Sequence, residues 1–143
     1  MSFLKMSAPR FLVLSILLPA IAGPLEIIAA EPDPIQVVWA DGHRSEVSEK
    51  QLKQHALSSQ HPEYPREARR AHLEGSGFFV LNIDKRTGAV TSVDIEKSTG
   101  NKVLDGYATS AFKTWRFKPG VFVRVRMPCV FNMRHYDNPW VFF

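Results

Sequence analysis

The sequence predicts an α+β domain of two layers, with two helices packed on one face of a three-stranded antiparallel sheet, over residues 62–133. Three observations predict it. Two β-prone runs, FFVLNID and AVTSVDIE, flank the turn Lys85-Arg86-Thr87-Gly88. Apolar residues recur at helical spacing between Lys102 and Trp115, and the run from Val121 to Met133 alternates with period two.

Taken in order, Pro65 stands at the first-turn position of a helix, where a missing N–H costs nothing, and Ala68, Ala71 and Leu73 follow on one side. Gly75 and Gly77 are expected to stop that helix. In the first strand Phe79, Leu81 and Ile83 share a face, which makes them core candidates. Gly88 supplies the positive φ that a tight hairpin turn requires. In the second strand Val90 is out of phase with Val93 and Ile95, so either a bulge separates them or Val90 belongs to the turn. Ser98-Thr99-Gly100-Asn101 offers N-cap donors to a helix on which Leu104, Ala108, Ala111 and Trp115 face one way. Lys118-Pro119-Gly120 ends it. The last strand sets Val121, Val123, Val125, Met127, Cys129, Phe131 and Met133 on a buried face and Arg124 and Arg126 on a wet one. Pro128 cannot donate a ladder hydrogen bond, which places this strand at an edge or a bulge.

The segments outside this core read differently. Lys5 and Arg10 precede FLVLSILLPAIAG, a pattern that fits a secretory signal cleaved after Ala22 or, if the apolar character runs on to Ala30, an uncleaved membrane anchor. Both readings of residues 1–30 place the remainder in the cell envelope, facing the periplasm. Residues 31–61 read as a spacer opened by Glu31-Pro32-Asp33-Pro34. Within it IQVVW and HRSEV flank Asp41-Gly42 as a small hairpin, and Ser48 with Gln51 forms a capping box for a short helix. The tail, residues 134–143, carries four aromatics in its last eight positions. It is read as packing on the sheet face of Phe122 and Val130, covering an edge, or mediating self-association as a homodimer.

Composition narrows the function. The chain is 45% hydrophobic and 22% charged with a formal charge of +4, an ordinary folded balance. Lys5, Arg10 and Glu26 lie in the first 30 residues, so 16 cations then face 13 anions. With no basic run and no recognition motif, no nucleic-acid partner is expected. The single cysteine, Cys129, excludes an internal disulfide and reads as a small buried hydrophobe. No spacing of His43, His55, His61, His72 and His135 fits a metal-ligand pattern, and neither GxSxG, HExxH nor a phosphate loop is present. No catalytic residue, metal or cofactor is therefore expected.

In order and spacing, the string from Pro62-Glu63-Tyr64-Pro65 and Ala68 through Gly75, Asp84 and Gly88-Ala89-Val90, then Ser98-Thr99-Gly100, Leu104-Asp105, Ala108, Ala111 and Trp115-Arg116-Phe117-Lys118-Pro119, closing on the Pro128 strand, resembles the C-terminal domain of TonB-family energy transducers. About half of the chain is covered. The resemblance implies a periplasmic domain that grips an extended peptide of an outer-membrane TonB-dependent receptor by strand addition. It carries that contact to the last strand and the segment before the first helix, here His61, Pro62, Tyr64, Arg124, Arg126 and Val130, with the arginines facing acidic partner side chains. The family's membrane helix engages a proton-driven inner-membrane motor through a Ser-His pair. Here the apolar segment holds Ser15 and no histidine, so contact with that motor is not implied.

Overall fold

In a computed structural model of the protein, residues 33–133 are described. The expectations for residues 1–30 and for the aromatic tail lie outside the described residues. Ten elements follow in order: β1 (Ile35–Trp39), β2 (Arg44–Val47), α1 (Glu49–His55), β3 (Ala56–Ser58), α2 (Arg66–Arg70), β4 (Gly75–Ile83), β5 (Val90–Lys97), α3 (Lys102–Lys113), β6 (Arg116–Phe117) and β7 (Phe122–Phe131). The class is α+β. A five-stranded antiparallel sheet runs β2-β1-β7-β4-β5, and β3 pairs with β6 in a small second sheet.

The sheet thus has five strands rather than the expected three. The stretch read as a spacer supplies the additional two, because Ile35 and Val37 alternate onto the core face, where they are 4% and 1% exposed. Leu52 of α1 joins them in the same apolar cluster. Ser48 caps α1 as anticipated: its hydroxyl accepts from the Gln51 N–H at 3.3 Å while the Gln51 side chain accepts from the Ser48 N–H at 2.8 Å. The core lies between the helices and one sheet face, with Phe79, Leu81, Val125, Met127 and Phe131 from the sheet meeting Leu104, Ala108 and Phe112 of α3. The Phe79 and Phe112 rings stand 5.4 Å apart.

Three local expectations change. Gly75 and Gly77 begin β4 instead of ending α2, which stops at Arg70 with His72 at φ 51°. Glycine is required at Gly75 because a Cβ there would meet the Thr99 carbonyl oxygen at 2.0 Å. In β7 the phase slips by one: Trp39 registers with Phe122 and Val38 with Arg124, so Val123 is the extra residue of a bulge. Phe122 consequently turns into the core beside Trp39 and Phe117 and shares no face with Val130. Val90 registers with Ile83 and Ser92 with Asn82, which locates the bulge of β5 at Thr91.

Asp105 fastens the start of α3 to the end of β5. Its carboxylate accepts from the Thr99 N–H at 2.8 Å, the Thr99 hydroxyl at 2.7 Å and the Ser98 hydroxyl. Burial raises its pKa, but these bonds from Ser98 and Thr99 outweigh that and hold it below the ordinary 3.8. A carboxylate whose folded pKa is depressed contributes stability above its unfolded pKa, and that contribution disappears as pH falls through the folded value. Asp105→Asn is therefore expected to lose about 1–3 kcal/mol near neutral pH, because an amide oxygen can keep both Thr99 donors but leaves the Ser98 hydroxyl facing an NH2 donor, and to flatten the acid limb below about pH 4. Urea denaturation of both proteins between pH 2 and pH 7 checks this, and parallel curves over that range would contradict it.

Candidate functional site

Strand addition needs a sheet margin with unpaired N–H and C=O groups. The sequence places the last strand at an edge or a bulge, and the resemblance carries the peptide contact to it; as a full edge strand it requires correction. β7 lies inside the sheet: β4 pairs with it from Phe131 back to Arg124, and β1 covers its other flank from Phe122 to Arg126. Past Arg126 no described strand lies on that flank, so residues 127–131 have a partner on the β4 side alone. The ladder stops for a chemical reason. Continued by two residues, the register would set Pro34 opposite Pro128, and neither has an N–H to donate. Pro128 thus sits where an edge begins.

The predicted contact residues divide into three groups. Pro62 and Tyr64 are buried, which removes them from direct contact. Tyr64 packs edge-on against Phe131 at 5.5 Å, and its hydroxyl donates to the Leu73 carbonyl at 2.6 Å. Their part is to hold the segment before α2 against the end of β7. His61 is exposed and lines a narrow crevice with Lys53, Trp115 and Met127. Partial desolvation first, then the Lys53 charge, lower its pKa. Arg124, Arg126 and Val130 project from the sheet face opposite the helices, not from a margin. There Arg124 Nε donates to Asn82 Oδ1 at 3.2 Å, and Arg126 pairs with Glu96 while its guanidinium lies 3.7 Å over the Phe78 ring. Val130 registers with Ser76 of β4 and is half-buried.

Two features were not anticipated. One is the role of β1 in dividing β7 into a covered and an open half; the sequence signal for it is the Pro32/Pro34 pair just before Ile35, which ends any ladder there. The other is the pair of outer sheet margins among the described strands: β2, which pairs with β1 alone, and β5, whose strand partner is β4 alone and which lies near the exposed Ile95, Val103 and Tyr107. Trp115 is core, with its Nε1 donating to the Gln60 carbonyl at 2.7 Å. Cys129 is buried, and burial pushes its thiol up to about 12, far from a nucleophile at neutral pH. Among the described residues no group of three or more His, Cys, Asp or Glu is placed to hold a metal ion, and no helix is long and apolar enough to cross a membrane.

Two proteins named Protein TonB, from Xanthomonas campestris pv. campestris strains B100 and ATCC 33913, are each 36% identical to the chain over 78 residues, which cover 50% of this chain and 34% of theirs. The chain therefore matches about a third of the length of these curated relatives. The solution NMR structure of the Pseudomonas aeruginosa TonB CTD aligns with 25% identity and a TM-score of 0.44, over 53% of this chain and 80% of that one. Residues 60–133 match the family model described as the Gram-negative bacterial TonB protein C-terminal. As that stretch makes up more than half of its 143 residues, the chain belongs to the TonB C-terminal family.

Proposed function

We propose that this protein acts in the periplasm, where it holds an extended peptide of an outer-membrane TonB-dependent receptor by strand addition and so serves TonB-dependent transmembrane transport. The observation that carries the reading is the open flank of β7 at residues 127–131, in the strand to which the family resemblance carries the peptide contact. Main-chain hydrogen bonds there supply the affinity, and side chains beside the flank supply selectivity. Of the expected contacts that are not buried, Val130 lies within that flank and the exposed His61 lines a crevice with Met127. Arg126, at the last register pair with β1, marks where a guest strand must end.

The test is amide hydrogen exchange on the full chain, with and without a synthetic peptide copying the periplasm-facing N-terminal segment of such a receptor. New protection is expected between Met127 and Phe131. Methylating alternate backbone nitrogens of the peptide is expected to weaken binding at least about tenfold, since each main-chain bond contributes about 0.5–1.5 kcal/mol. Binding without protection in that stretch, or binding indifferent to methylation, would refute strand addition at β7. A second reading, an assembly protein that pairs with its own copy, is favoured by the outer margin of β5 beyond Val90, whose N–H already donates to the Trp115 carbonyl, and by the exposed Ile95, Val103 and Tyr107. Protection of Val90–Lys97 that rises with protein concentration in the absence of peptide would select it.

A further inference from the structure

The hairpin of β1 and β2 adds a wall as well as two strands. On the sheet face away from the helices it bounds an open groove of about 510 Å³ whose floor is β1 and β7. Val38 occupies its middle and registers with Arg44 on one side and Arg124 on the other. Neighbouring strands lie about 4.8 Å apart, so the two arginines arise about 10 Å from each other across one valine. Neither has a carboxylate within ion-pair distance among the described residues: Arg44 is exposed, and Arg124 touches only the Asn82 amide. Two like charges in one row repel unless an anion comes between them.

The next row has the opposite character. Gln36 registers with Glu46 on β2 and Arg126 on β7. Arg126 is already engaged by Glu96 and the Phe78 ring, which leaves Glu46 as the uncompensated charge of that row. A positive row and a negative row therefore stand two residues apart along β1, about 6.7 Å, the distance between alternate side chains of any extended chain.

We propose that this groove binds an extended peptide through its side chains, with an acidic residue between Arg44 and Arg124 over Val38 and a basic residue two positions along beside Glu46. The site is separate from the β7 flank and does not depend on strand addition. Its recognition uses no main-chain ladder, because the peptide lies over the sheet face, where the backbones of β1 and β7 are already paired on both sides of β1, and not along the outer flank of β2.

The probes are three synthetic hexapeptides measured by calorimetry against the full chain at low salt: one with Asp and Lys two residues apart, one with Asp at both positions, and one with Ala at both. The Asp/Lys peptide is expected to bind tightest and to keep its affinity when its backbone is N-methylated, the reverse of the expectation for the β7 flank. Arg44→Gln with Arg124→Gln is expected to weaken it about tenfold or more, as charged hydrogen bonds are lost, while Arg70→Gln on α2 leaves it unchanged. Glu46→Gln is expected to abolish the preference for Lys over Asp at the second position. Because all four side chains are exposed, circular dichroism should show each variant folded. Equal affinity for the alanine peptide, or no effect of the double arginine change, would overturn the proposal. So would sodium acetate shifting the Arg44 and Arg124 Nε–H NMR signals as strongly as the peptide does, which would mark a site for small carboxylates only.

Discussion

Replacing Val37 by aspartate is expected to destabilise residues 62–133 together with the hairpin, not to release the hairpin alone. Val37 is 1% exposed, registered between Ser45 and Val125, and packed in the same cluster as Leu52, Phe79 and Phe117. A carboxylate there has no partner, and burying an uncompensated ion costs on the order of 4 kcal/mol after relaxation. Taken from a domain stability of about 5–15 kcal/mol, that loss raises the unfolded fraction on the order of a thousandfold. The Cys129 thiol reports the outcome, since it is buried in the native fold on the far side of the Arg126 boundary. Rapid modification of Cys129 by a thiol reagent in Val37→Asp would show that the hairpin is part of one cooperative unit. Slow modification, with the urea transition unchanged, would show instead that β1 is a detachable cover and that the open flank of β7 can lengthen.

The second large effect is expected at Gly88. This residue holds φ +73° in the turn between β4 and β5, where its N–H donates to the Asp84 carbonyl at 2.7 Å and its own carbonyl accepts from the Phe117 N–H at 2.8 Å. A Cβ would lie 1.9 Å from the Phe117 carbonyl oxygen, a backbone atom that cannot swing aside. Gly88→Ala therefore combines left-handed strain with overpacking, together about 3 kcal/mol. Gly42 is the internal control: its φ is +93° but nothing lies within 4 Å of the added carbon, so alanine there costs about 1–2 kcal/mol of backbone strain alone. Chemical denaturation of the two variants tests the difference. Equal losses would mean that the turn is not clamped by β6.

What could be read in the sequence was what is encoded locally. The capping box at Ser48, the Gly88 turn, the buried Phe79-Leu81-Ile83 face and the start of α3 after Asn101 each depend on residues within a turn or two of one another. The Asp41-Gly42 hairpin was visible for the same reason. Its destination was not, because the choice between β7 and solvent is made by Ile35 and Val37 against residues about 90 positions away. The bulge at Val123 shows the same limit, since alternation predicts a face only while the register holds, and one extra residue sent Phe122 inward. For the candidate site, the wet-face position of Arg124 and Arg126 was legible. Which margin of the sheet stays open was not, and Tyr64 turned inward because its hydroxyl finds the Leu73 carbonyl across the end of α2.

The place of β1 within the sheet has a mechanical meaning. Tension entering at Asp33 is directed along a strand held by β2 on one side and β7 on the other. Pulled lengthwise, such a strand loads both rows of bonds at once in shear, whereas a strand at a margin pulled crosswise unzips one bond at a time. A domain loaded in this direction through an inner strand yields late and all together.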